Sequence, residues 1–189
     1  MFLFEKLVSG SVHGSMFNGT DLAGWAGDPD LWKVEDEILV GRTTEDLSYN
    51  DFLRTEKEYA NFIFYCETRL RGYNSGIQFR SLVEENGRMA GYQADMGNGC
   101  WGALYEEGLR GHLVRYQTEL IESILLVEDW NEYQIVAVDD YILQILNGVV
   151  TAELTDPDGA RSGLFGLQLH SGPPQEVAFR NLCIKELEN

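Results

Sequence analysis

Asn61–Leu70 reads NFIFYCETRL, and these ten residues decide the fold class. Phe62, Phe64, Cys66, Thr68 and Leu70 alternate with Ile63, Tyr65, Glu67 and Arg69, which is the period of a strand and not of a helix. The pattern continues outward from there. In Ser75–Arg80 (SGIQFR), Ile77 and Phe79 alternate with Gln78 and Arg80. Tyr133–Val138 and Tyr141–Leu146 flank Asp139-Asp140, a two-residue polar break that reads as a hairpin. Asn147-Gly148 is the next turn, leading into Val149–Leu154, and Asp156-Pro-Asp-Gly159 is a third. Leu164–His170 and Val177–Leu187 supply the last strands. The one helical candidate, Gln117–Glu128 (QTELIESILLVE), reads equally well as a strand with its connections.

Strand runs thus recur from end to end with no Pro/Ser linker and no fixed repeat, which predicts a single all-β sandwich or jelly roll. We expect one domain over 1–189, with the sandwich at about 15–187 after a short N-terminal extension. Glycine, at 20 of 189 residues, exceeds the usual ~7% and favours turns over long helices. An apolar share of 44% excludes a disordered chain. With 14 basic against 31 acidic side chains and a net charge of −17, the chain is not expected to bind nucleic acid or anionic membrane. No run of 18 apolar residues offers a membrane span. What remains is binding of, or catalysis on, a small polar molecule.

Met1–Val8 (MFLFEKLV) places Glu5 and Lys6 inside what would be the apolar part of a secretion signal. The chain as given therefore reads as cytoplasmic, or as periplasmic or extracellular if a leader has been removed. Three cysteines make a closed disulfide framework unexpected. Cys66 and Cys183 read as small core residues and Cys100 as more exposed.

In a sandwich each strand turns one face to the core. Phe62, Phe64, Ile77, Phe79, Leu167, Leu169 and Phe179 are the expected core. The opposite phase then carries Glu67 and Arg69, Gln78 and Arg80, Gln93 and Asp95, and Gln168 and His170. Aromatic Tyr92, Trp101 and Tyr105 either line the rim of a sugar site or cap the sandwich. Surface ion pairing is the bland alternative for the charged members.

A set of ordered blocks makes the reading more specific. Phe17–Trp25 (FNGTDLAGW) is followed by Trp32-Lys-Val34, Leu53-Arg-Thr55, Glu67-Thr-Arg69, Asn74-Ser-Gly-Ile77, Phe79-Arg80, Gly91-Tyr-Gln93 and Asp95. Gly102, Leu104-Tyr105, Trp130-Asn131, Asn147-Gly148, Gly166-Leu-Gln168, His170 and Phe179-Arg-Asn181 complete the series. Over roughly 17–187 the chain resembles the bacterial 3-keto-disaccharide hydrolase family. That resemblance implies a concanavalin-like jelly roll of two antiparallel sheets, one concave, and a small carbohydrate substrate. One departure stands out: the Asp-Gly turn usual after the first Trp-x-Val is Asp36-Glu37 here.

Three chemistries compete for the polar face. In the one the resemblance implies, a ketone at C3 acidifies the C2 proton, a base removes it, the enolate expels the glycosidic oxygen and water adds back. His170, Glu67, Asp95 and Arg80 are the expected catalytic groups, with Arg69, Gln78, Gln93, Tyr92, Trp101, Tyr105 and Gln168 binding the sugar. Either an arginine or a divalent ion held by acidic and imidazole groups would stabilise the enolate, although no zinc-type spacing is present and Asp156–Gly159 lacks the ligands of a calcium loop. In the second, Glu67 and Asp95 form an ordinary two-carboxylate glycosidase pair. Two arginines beside them should hold both carboxyls low and disfavour the neutral acid such an enzyme needs. In the third, the domain binds glycan without cleaving it.

Overall fold

The computed structural model describes residues 14–188; nearly all of the expected N-terminal extension, Met1–Val8 included, lies outside them. The strands are β1 (Gly14–Ser15), β2 (Trp25–Ala26), β3 (Trp32–Glu35), β4 (Ile38–Arg42), β5 (Asp51–Thr55), β6 (Phe62–Arg71), β7 (Asn74–Val83) and β8 (Met89–Gly97). After them come β9 (Leu104–Glu107), β10 (Gly111–Val114), the helix α1 (Thr118–Ile124), β11 (Asn131–Val138), β12 (Tyr141–Leu146), β13 (Val149–Thr155), β14 (Leu164–Leu169) and β15 (Glu176–Glu186). They form the jelly-roll sandwich expected from the alternation. The first sheet runs β13-β12-β11-β6-β15-β4-β3, with β1 beside β15, and the second runs β10-β9-β8-β7-β14-β5-β2.

All seven residues expected in the core are fully buried, each 0% exposed. Their aromatic rings interlock between the sheets: Phe62 meets Phe165 at 4.9 Å and Phe79 edge-on at 6.2 Å, and Phe79 stacks on Tyr92 at 5.4 Å. The ambiguous 117–128 stretch is helical only over α1, which buries Ile121. Cys66 is in the core as expected, whereas Cys183 is half-buried because the β15–β6 register shifts between Arg180 and Cys183.

Two connections position the functional face. Gly72-Tyr73, between β6 and β7, looks like a hairpin loop but carries the chain from the first sheet to the second. Gly72 has φ 149°, and a Cβ there would sit 2.3 Å from Gln175 Cβ, so only glycine fits this corner. Gln175 fixes it: its Oε1 accepts from the backbone N–H of Tyr73 and of Asn74, while its Nε2 donates to the carbonyl of His170 at 2.7 Å.

Candidate functional site

The face of the second sheet turned away from the core is polar yet covered. Ile77, Phe79, Tyr92, Ala94 and Leu167 point inward, so the period of two turns Gln78 on β7, Gln93 and Asp95 on β8, and Gln168 on β14 to the other side. All four are buried. Glycine clears their floor. A Cβ at Gly76 would meet Gln93 Cδ at 2.5 Å, and one at Gly166 would meet Met89 Sδ at 2.4 Å.

Hydrogen bonds link these side chains in one direction. Gln78 Nε2 donates to Gln93 Oε1 at 3.2 Å, and Gln93 Nε2 donates to Asp95 Oδ1 at 2.7 Å. The line is incomplete: Gln78 Oε1 and both amide atoms of Gln168 are buried with no partner. Unmade hydrogen bonds of this kind cost roughly 1–3 kcal/mol each.

Beside them lies a cavity of about 180 Å³ lined by Ser48, Tyr49, Asn50, Phe52, Arg88, Met89, Glu107 and Ser171. A wider basin of about 610 Å³ shares Tyr49, Asn50 and Arg88 with it and extends to Asp51, Arg54, Asn86 and Gly87. Burial pushes the Asp95 carboxyl up to about 7; Glu107 pushes the same way and the bond from Gln93 opposes it. Glu107 is also raised by burial, with His170 and Arg88 pulling it back. Half-buried His170 follows β14, its Nδ1 2.6 Å from the carbonyl of Ser171 and its ring 5.8 Å from that of Tyr73. Tyr105 stands opposite Gln93 on the same face, edge-on to His112 at 5.0 Å.

Six of the eleven expected site residues therefore gather here: Gln78, Gln93, Asp95, Gln168, His170 and Tyr105. The other five do not. Glu67 and Arg69 belong to β6, on the outer face of the opposite sheet. There Glu67 accepts from Arg180 Nε at 2.8 Å, Arg69 pairs with Glu176 at 3.2 Å, and the guanidiniums of Arg69 and Arg180 lie 4.8 and 4.1 Å from the Trp130 ring. Sheets pack ~10 Å apart, so Glu67 and Asp95 cannot serve one substrate, and the two-carboxylate pair is ruled out.

Arg80 does not share the face with Gln78. Its φ of 47° belongs to a bulge where the β7–β8 register shifts between Phe79 and Leu82, and the bulge re-aims the side chain. It donates instead to the carbonyls of Ala60 (2.8 Å), Asp139 (2.8 Å) and Ala160 (3.2 Å) and to Asn61 Oδ1 (3.1 Å). Tyr92 faces the core and donates to Asp156 Oδ2 at 2.5 Å. Trp101 is buried and stacked on Tyr133 at 6.2 Å. With both arginines elsewhere, the expected lowering of the carboxyls is reversed at Asp95.

Glu107, Arg88, Tyr49, Asn50 and Phe52 were not foreseen. Glu107 was accessible in principle, two residues after Tyr105 in the same phase; the others enter from loops and from β5, where alternation carries no signal. Among the described residues no group of three or more His, Cys, Asp or Glu side chains could hold a metal ion. The expected alternative of a divalent ion finds no such ligand set among them.

The family described as the 3-keto-alpha-glucoside-1,2-lyase-like domain matches residues 13–185. The chain belongs to that family. Among solved structures, one from Parabacteroides distasonis described as a candidate glycosyl hydrolase superposes with TM-score 0.69 at 19% identity, covering 93% of this chain and 94% of the other. The carbohydrate binding module CBM66 from Bacillus subtilis gives 0.68 at 18%, covering 92% and 100%. A Bacillus subtilis protein of unknown function with a galectin-like fold gives 0.64 at 9%, covering 93% and 98%. At these identities the likeness is one of fold. No curated protein sequence matches the chain.

Proposed function

We propose that this family member cleaves 3-keto glycosides on the outer face of the second sheet. One observation carries the reading: buried, unpartnered amide atoms of Gln168 and Gln78 lie on the same face as Asp95, a carboxyl titrating at about 7. A group with that pKa is present in both forms at neutral pH and is suited to take up a proton and return it.

The Asp95 carboxylate removes the proton from C2, which the neighbouring ketone has acidified. The electron pair forms the enolate, whose oxygen is met by the free N–H of Gln168, the role expected of Arg80. The enolate then collapses and expels the oxygen at C1, and His170, near Glu107, supplies the proton that this leaving group needs. Water adds across the C1–C2 double bond and completes hydrolysis; if it does not add, the enzyme is a lyase. Tyr105 offers a ring against which the sugar can lie.

The test incubates the protein with matched plain and 3-keto glycosides, with and without chelator. The wild type should cleave only the keto substrate. Asp95→Asn should lower turnover by at least ~10²-fold, and Gln168→Leu by a similar factor through loss of one enolate donor. Equal cleavage of both substrates would establish an ordinary glycosidase. Glycan binding without cleavage of either would leave a binding domain, the role carried by the name of the similar Bacillus module.

A further inference from the structure

The wider basin has a charge pattern of its own. Arg42, Arg69, Arg71, Arg110 and Arg180 form ion pairs. Arg80 and Arg161 are held by backbone carbonyls. Arg54 and Arg88, from β5 and from the loop before β8, line the same basin, and neither has an ion-pair partner among the described residues; Arg115 has none either but lies outside the basin. The one carboxylate in that basin, Asp51, accepts from Trp32 Nε1 at 2.7 Å and feels the charge of Arg54 without forming an ion pair with it, so one carboxylate stands against two guanidiniums there. Glu107, the other carboxyl facing Arg88, lies in the inner cavity and not in the basin.

We infer that the basin receives an anionic group carried by the part of the substrate beyond the reacting sugar. The inner cavity, about 180 Å³, opens through Tyr49, Asn50 and Arg88 to the basin of about 610 Å³, so the larger space beside it is the one that can take a further sugar unit. There two guanidiniums present planar donors suited to a carboxylate or a phosphate. The preferred substrate is a glycoside whose leaving unit bears negative charge, and Arg54 and Arg88 determine that specificity. This inference rests on the outer face of the second sheet being the glycan site.

Calorimetric titration with three 3-keto probes tests it: a glucosyl-glucose disaccharide, the corresponding glucosyl-glucuronate, and the disaccharide phosphorylated on its second ring. At low salt the charged probes should bind the wild type at least about tenfold tighter than the neutral one, and the advantage should shrink as salt screens the basin. In Arg54→Ala the ratio of charged to neutral affinity should fall to within about twofold, with Arg54→Lys keeping part of it. Preference for the uronate or for the phosphate identifies the source of the anion. Equal affinities for charged and neutral probes, or a preference that survives Arg54→Ala, would overturn the inference while leaving the glycan site intact. Failure of every probe to bind would remove that site and this inference with it.

Discussion

Asp95 shows how one side chain can serve catalysis and cost stability through the same burial. Its ordinary pKa of 3.8 is raised to about 7 in the folded chain, so between those values the folded state binds the proton that the unfolded state has released. Stability must then fall as pH climbs from about 4 to about 7, and the full cost of the buried carboxylate applies above that. Asp95→Asn should therefore be stabilising, with a gain in unfolding free energy that is small at pH ~5 and grows by pH ~8, on the order of a few kcal/mol at the upper end. Melts at both pH values decide it; a gain that does not grow would mean Asp95 titrates like a surface carboxyl. At this scale the sequence revealed phase but not direction. Gln78, Gln93, Asp95 and Gln168 share a face because strand alternation requires it. Arg80 left that face through a backbone bulge that no residue pattern announces.

Among the elements, the β3–β4 hairpin turns on Asp36-Glu37, with Glu35 opposite Ile38 and φ values of 49° and 65° at the two turn residues. Left-handed backbone at both positions is the geometry that favours glycine in the second. The departure from the family's Asp-Gly is thus accommodated without a change of turn, at a conformational cost borne by Glu37. Glu37→Gly should raise stability by about 0.5–1 kcal/mol, seen as a higher urea midpoint with an unchanged slope. A neutral or negative effect would show that Glu37 makes compensating contacts. Turns of this kind were legible because their chemistry is local. Sheet membership was not: alternation in Asn61–Leu70 and Ser75–Arg80 gives each strand's two faces but not its sheet, and the corner at Gly72 sends them into opposite sheets, which separates Glu67 and Arg69 from the site.

Across the whole molecule, distant segments are joined by charge. Arg110, after β9, donates to Asp156 Oδ1 at 3.0 Å, to Asp156 Oδ2 at 2.5 Å and to Glu106, while Tyr92 donates to the same Asp156 carboxylate from within the core. Asp156-Pro-Asp-Gly159 is therefore more than a turn: it fastens the loop after β13, in the first sheet, to the β9–β10 connection at the end of the second. The Arg110 guanidinium holds the Asp156 carboxyl below its usual value, so this contribution is present above about pH 4 and is lost as pH falls through the lowered pKa. Arg110→Met should shift the acid-unfolding midpoint, followed by circular dichroism, to higher pH. An unchanged midpoint would mean the fastening adds nothing in solution. Three of the family blocks, Glu67-Thr-Arg69, Trp130-Asn131 and Phe179-Arg-Asn181, meet around the Trp130 ring on the outer face of the first sheet. Their shared pattern thus marks a structural cluster as well as a site.

The Arg80 clamp also bears on the rate at which the molecule comes apart. Its carbonyl partners lie 20, 59 and 80 residues away along the chain, in three separate loops. A contact that needs all three loops in place forms after the folding barrier has been crossed, so its loss leaves the climb unchanged and shortens the descent. Arg80→Ala strands several buried acceptors and should cost about 3 kcal/mol or more. Nearly all of it should emerge as unfolding that is about 10²-fold faster, with refolding close to the wild-type rate. In stopped-flow chevrons only the unfolding arm should rise; slowed refolding would place the clamp in the nucleus. The chain's lifetime in its native state, rather than the speed at which it reaches that state, is what this one guanidinium governs.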